Sequence, residues 1–221
     1  MSDRILFILI GTAAMLVLSL LRRKKYEISL WKAIVIPFAL TVFGVAGTMV
    51  LAFIESGAWG GISFYGSVFL IPVGMFFFSL LIREKYSHVL DFSVTQICAM
   101  LAVMKVLCLK SGCCYGIMIT ESFQFPSQIV EVITGFGLMV LFLILEVKGM
   151  FKGELYPLYF LVYGGMRFVL NFFRGGISPF VWILPAGHFW SIIAMIIGFT
   201  TLMIMEKRRT ESNEIEENTI E

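Results

Sequence analysis

Tyr163, Arg167, Asn171 and Arg174 recur at i, i+4, i+8 and i+11. On a helix advancing about 100° per residue, that spacing confines them to an arc of roughly 80°. The arc carries two guanidinium groups along one face of an otherwise apolar segment. Guanidinium forks pair with carboxylate or phosphate through parallel hydrogen bonds. Two more cations, Lys105 and Lys110, end another apolar segment in the run KVLCLKSGCCYG. Lys105 and Gly112 are seven apart and share a helical face, with Lys110 one turn nearer the surface. A cation in or beside a bilayer is costly unless it meets a partner or a substrate, so all four are candidate binding residues.

The partner expected first is Glu131, in the run FPSQIVE. Pro126 suits a first helical turn, and Ser127, Gln128 and Glu131 at i, i+1 and i+4 follow it. Glu131 then lies about one turn into the membrane, with Arg167 and Arg174 nearest in depth. A structural ion pair accounts for one arginine. The other is left without a second acid at that depth, which favours phosphate over purely structural pairing. The run ESGAWGGISFYG, containing Gly61 and Tyr65, could line a lipid headgroup or be ordinary turn and anchoring chemistry at a membrane interface. The four cysteines contain no C-x-x-C. Cys98 and Cys108 have no histidine partner, and adjacent Cys113 and Cys114 are poorly placed to share a metal. Small residues at a close helix contact, or a reactive thiol at Cys113 or Cys114, are the two readings. No metal site is expected.

These residues need a membrane scaffold to position them. With 59% hydrophobic residues, 22 Phe and only 14% charged residues, the composition exceeds what a soluble core uses. A spanning helix takes about 20 mostly apolar residues, and seven such segments can be placed, at 5–21, 33–54, 64–82, 89–109, 127–147, 154–173 and 186–205. The expectation is an all-α polytopic membrane protein with about seven transmembrane helices. Arg22, Arg23, Lys24, Lys25 and Lys32 follow the first segment, Arg83 and Lys85 the third, Lys148 and Lys152 the fifth, and Lys207, Arg208 and Arg209 the seventh. The positive-inside rule then puts the N-terminus outside and the C-terminus in the cytoplasm, with Arg4 as a mild violation. The basic flank after the first segment and the missing A-x-A site favour an anchor over a signal peptide. Residues 1–205 read as one transmembrane domain, and 206–221 as a charged, solvated cytoplasmic tail.

Taken in order, GGISFYG, KVLCLKSGCCYG, FPSQIVE, LYPLYFLVYGGMRFVLNFFR and AGHFWSIIAMIIG resemble the prolipoprotein diacylglyceryl transferase family of bacterial inner membranes. The resemblance runs from about Gly60 to Gly198 and keeps the order and approximate spacing of five motifs. It implies a seven-helix enzyme of the bacterial cytoplasmic membrane that uses phosphatidylglycerol. The thiol of a lipobox cysteine in a preprolipoprotein attacks the glyceryl carbon, and glycerol-1-phosphate leaves. It implies neither metal nor soluble cofactor, and no nucleic acid partner. Arg167 and Arg174 match the arginines of the family's Y-G-x-x-R-x-x-x-E-F-x-R pattern. Pro126, Ser127, Gln128 and Glu131 match its H-P-S-Q-L-Y-E motif, and Gly112 and Gly116 match glycines of its R-x-G-N-F-x-N-G-E region.

The chain departs from those motifs where the family carries acids, bases and amides. Tyr65 stands for the histidine of S-F-H-G-G, Lys105 for an arginine, and Cys108, Ser111 and Cys113 for two asparagines and a glutamate. Phe125 replaces the histidine of H-P-S-Q, Asn171 the glutamate between the arginines, and His188 the glutamine of G-Q-x-x-S. Tyr65 or His188 would then take over acid–base work, with His188 at the start of the seventh segment and an ordinary pKa near 6.5. Arg167 would act on the leaving phosphate, with Arg174, Lys105, Lys110, Gln128, Glu131, Asn171, Gly61 and Gly112 binding substrate. Only short stretches separate Gly116 from Pro126 and Arg174 from Gly187, so the lipid is better supported than the protein acceptor. Two alternatives stay open: transfer to a different acceptor, and a phospholipid-binding membrane protein without chemistry. A transporter, the third class, would need polar residues continuing through the inner half of the bundle.

Overall fold

The computed structural model describes residues 2–112, 115–175, 179–181 and 184–220, with side chains described for 3–112, 115–175 and 184–211. Its helices are α1 (Ser2–Arg22), α2 (Leu30–Ser56), α3 (Phe64–Ile82), α4 (Tyr86–Ser111), α5 (Ser127–Val147), α6 (Leu155–Phe172) and α7 (Ala186–Ile220). Two short antiparallel hairpins complete it: β1 (Met118–Thr120) with β2 (Phe123–Gln124), and β3 (Pro179–Val181) with β4 (Leu184–Pro185). The outward faces carry bare apolar side chains such as Leu21, Phe77, Leu81 and Val147, a surface suited to lipid rather than water.

Among the described residues six helices are long and apolar enough to cross a membrane, where seven were expected. The exception is α6. Tyr156, Tyr159, Tyr163, Arg167 and Asn171 dilute its apolarity, and all five are buried. Its polar stripe therefore faces the protein. The charged stretch after 205 is continuous with the last spanning helix: α7 runs without a break to Ile220. That stretch is rich in Glu, Lys and Arg, good helix formers, and Lys207 pairs with Glu211 one turn on, at 3.8 Å.

Two helices carry internal prolines, Pro37 in α2 and Pro72 in α3. Each removes the amide that would bond the carbonyl four residues earlier, Ala33 and Val68. Neighbouring helices supply the missing donors: Ser19 Oγ donates to Ala33 O at 2.5 Å, and the Tyr156 hydroxyl to Val68 O at 3.0 Å. Freed backbone groups inside a bilayer need such partners.

α4 is the buried centre, packed against α1, α5 and α6. Lys110 near its end pairs with Asp3 of α1 at 3.2 Å, so the start of α1 lies beside the end of α4. At the opposite end Arg22 is buried against Glu146 at 2.5 Å, donates to Phe92 O at 3.0 Å, and Thr95 donates to the same carboxylate. Asp91 accepts from the amides of Gly153 and Leu155 there, fixing the turn into α6. α6 and α7 also pack closely, and a Cβ on Gly164 would come 3.0 Å from Ser191 O. Glycine at 164 lets α7 approach closely enough to bring Ser191 into the bundle.

Candidate active site

The centre of the site is one carboxylate shared by two cations from different helices. Glu131, in the second turn of α5, accepts from Lys105 Nζ of α4 at 2.6 Å on one oxygen and from Arg167 of α6 on the other. All three side chains are buried. Residues 105 and 167 lie on α4 and α6, which both run toward the β1–β2 end. α5 runs the other way from that end, so Glu131 meets both at one depth.

The formal charge of this triad is positive by one, because one carboxylate answers two cations. Arg174 lies near enough to act electrostatically on the same carboxylate. The triad borders a cavity of about 10 Å³, room for about one water, with Thr134, Tyr163 and Leu170 among its walls. Next to Tyr163, at 5.6 Å between ring centroids, lies Tyr65 in the first turn of α3. Its hydroxyl lies 2.5 Å from Ser191 Oγ of α7. Five helices thus contribute to one polar centre near the hairpin end.

Asn171 is buried one turn beyond Arg167 and packs against Gly187, where a Cβ would lie 2.5 Å from its amide nitrogen. That nitrogen has no hydrogen-bond partner among the described residues. Gln128 is half-buried in the first turn of α5, on the side that leads to Glu131. Arg174 follows α6 and forms a backbone bridge with Gly116, through Ile117 N to Phe173 O at 3.0 Å and Gly175 N to Tyr115 O at 2.9 Å. This bridge ties the end of α6 to the β1–β2 hairpin. Phe125 stacks on Phe173 at 4.8 Å, an apolar contact that holds the same corner.

Other expected site residues stand apart. His188 is buried with its ring edge-on to Phe168 and Phe172, at 5.2 and 4.6 Å. Neither nitrogen has a hydrogen-bond partner among the described residues. Its contacts are one step round α6 from Arg167, so the imidazole is not brought to the triad. Lys110 is exposed and engaged with Asp3. Gly112 is exposed with φ 64°, donating to the carbonyls of Cys108 and Leu109. That left-handed cap ends α4, which explains the glycine without a ligand. Gly61 is exposed in the loop before α3. Cys113 and Cys114 lie outside the described residues.

Several residues escaped sequence reading. Glu131 was expected to pair with an arginine, and Lys105 is its second partner. Ser191 belongs to the AGHFWS run, yet nothing there marks it as the partner of Tyr65. The inner half also holds buried polar groups, including Gln96, Thr95, Glu146 and Arg22. Arg22 and Glu146 form a closed pair, whereas Gln96 Oε1 and the Tyr159 hydroxyl have no partner among the described residues.

A polytopic helical membrane protein with a buried, net-positive cluster beneath one face is the class that fold and site define. Residues 6–204 match the family described as prolipoprotein diacylglyceryl transferase, and the chain belongs to that family. It is 25% identical over 164 residues to a phosphatidylglycerol--prolipoprotein diacylglyceryl transferase of Clostridium tetani (strain Massachusetts / E88), covering 67% of this chain and 66% of that protein. It is 26% identical over 170 residues to phosphatidylglycerol--prolipoprotein diacylglyceryl transferase 2 of Clostridium perfringens (strain 13 / Type A), covering 70% of this chain and 66% of that protein. The chain therefore spans just under two thirds of the length of these curated relatives.

Proposed function

We propose that this chain transfers the diacylglyceryl group of phosphatidylglycerol to a cysteine thiol of a lipoprotein precursor. In the transfer a C–S bond forms at the glyceryl carbon and the C–O bond to phosphate breaks. Glycerol-1-phosphate leaves, and the thiol proton ends on the released phosphate. A leaving group that gains negative charge is stabilised by positioned cations in a dry site. The observation carrying the proposal is the buried triad of Lys105, Glu131 and Arg167, with its surplus positive charge and Arg174 in electrostatic range.

Glu131 holds the two cations in place before lipid arrives. A cavity of about 10 Å³ is smaller than a phosphate, so lipid binding exchanges part of the Glu131 contact for phosphate oxygens. Arg167 and Lys105 take the phosphate, Arg174 guards the approach, and Asn171 and Gln128 offer neutral hydrogen bonds beside it. His188 receives no proton in this scheme. The site end faces outward across a bacterial cytoplasmic membrane, with the N-terminus outside and the charged tail in the cytoplasm, as the basic loops favour. Relatives named for this activity support the lipid and the acceptor together.

The test uses labelled phosphatidylglycerol and a lipobox peptide, with the full chain in detergent, comparing wild type with Arg167→Ala. The expected result is peptide lipidation with stoichiometric glycerol phosphate, both lost in the variant. Glycerol phosphate without peptide lipidation points to another acceptor. No lipid turnover by the wild type overturns the enzymatic reading in favour of a lipid-binding protein.

A further inference from the structure

Tyr65 and Ser191 share one hydrogen bond between hydroxyls, and each hydroxyl has a single proton to give. Ser191 Oγ also lies 2.6 Å from Gly187 O, the carbonyl one turn earlier in α7. A carbonyl can only accept, so Ser191 spends its proton there, in the back-bonded arrangement common for serine in helices. The proton between Tyr65 and Ser191, at 2.5 Å, must then come from Tyr65. The phenolic oxygen is left with an acceptor position and nothing to donate.

Tyr65 sits one residue back from the cavity wall. Tyr65 is buried and packs against Tyr163, a wall of the cavity beside Glu131 and Arg167. The hydroxyl of Tyr163 has no hydrogen-bond partner among the described residues. Gly164 allows the close packing that sets Ser191 opposite Tyr65, and Gly187 seats Asn171 on the other side. The direction of one proton is therefore built into the packing of α3, α6 and α7.

We propose that Ser191 is a positioning residue that takes the Tyr65 proton and so fixes the Tyr65 oxygen as a hydrogen-bond acceptor for an S–H or O–H group of a substrate. Tyr65 orients that group and removes no proton from it. The inference rests on the proposed transfer, where both sources exist: the acceptor thiol and the hydroxyls of a glycerol headgroup.

Isotope-edited infrared spectra of the full chain in nanodiscs, with ring-labelled tyrosine and Tyr65→Phe to assign the band, read the hydrogen bonding of this phenol directly. The expected result is a donor-type C–O stretch that shifts in Ser191→Ala and is preserved in Ser191→Thr. Adding a cysteine-containing lipobox peptide or phosphatidylglycerol should move the wild-type band again, and whichever does so identifies the donor. In turnover, Ser191→Ala should raise the KM of that substrate about tenfold, the cost of roughly one hydrogen bond, and leave the other KM unchanged. A band unaltered in Ser191→Ala, or unmoved by both substrates, overturns the inference. Absence of turnover by the wild type would sink the proposed function alone, because the spectrum reads the Tyr65 bond without it.

Discussion

Tyr156 of α6 gives its hydroxyl hydrogen bond to the carbonyl of Val68 in α3, the carbonyl that Pro72 leaves without an amide. Both residues are buried, so the bond is a dependency between two helices rather than a surface contact. Removing only the donor strands a carbonyl in an apolar interior, at a cost of about 1–3 kcal/mol.

Tyr156→Phe is therefore expected to lower stability by about 2 kcal/mol, seen as a lower Tm in detergent. Pro72→Ala restores the helical amide and gives Val68 its own donor, so the same Tyr156→Phe change should cost much less in that background. A double-mutant cycle over the four proteins isolates the coupling. Equal losses in both backgrounds would show that Tyr156 acts by packing alone.

The shared carboxylate predicts different outcomes for Lys105→Gln and Glu131→Gln in charge and in stability. Lys105→Gln leaves Glu131 and Arg167 as a neutral pair, so the fold should be nearly retained. Glu131→Gln leaves two buried cations facing one another, a loss in the range of about 3–5 kcal/mol. Lipid turnover separates them differently: Lys105→Gln should abolish most transfer despite a near-normal Tm, because the surplus positive charge is gone. Retained turnover in Lys105→Gln would remove Lys105 from phosphate binding.

The helical period made much of this legible. Apolar length located α3 and α5 at their observed bounds and the other helices within a few residues, except that α7 runs fifteen residues past its expected end, and the 3.6-residue repeat put Arg167 and Asn171 on one buried face. What it could not supply was pairing across helices. Lys105 and Glu131 are 26 residues apart, Tyr65 and Ser191 126, and Arg22 and Glu146 124. Each contact depends on which helices pack and at what depth, and periodicity within one helix carries no such information. Arg22 was read only as an orientation signal for that reason. The short strands were missed because two or three residues leave no detectable alternation.

Gly112 and Lys110 offer the cleanest separation of scaffold from site, since both were expected to bind substrate and both have structural explanations. Gly112 adopts φ 64° with open space around it, so Gly112→Ala meets no clash and pays only for the left-handed backbone, about 1 kcal/mol. Lys110 and Asp3 are each 56% exposed, and a pair so placed contributes about 1 kcal/mol or less and weakens with salt. Gly112→Ala should lower Tm modestly and leave the KM for phosphatidylglycerol unchanged, while Lys110→Ala should change neither at moderate salt. A rise in lipid KM of tenfold or more in Lys110→Ala, with Tm intact, would return that lysine to the binding site. It would also imply that the lipid path passes the Asp3 end of α1, because the ammonium is held there.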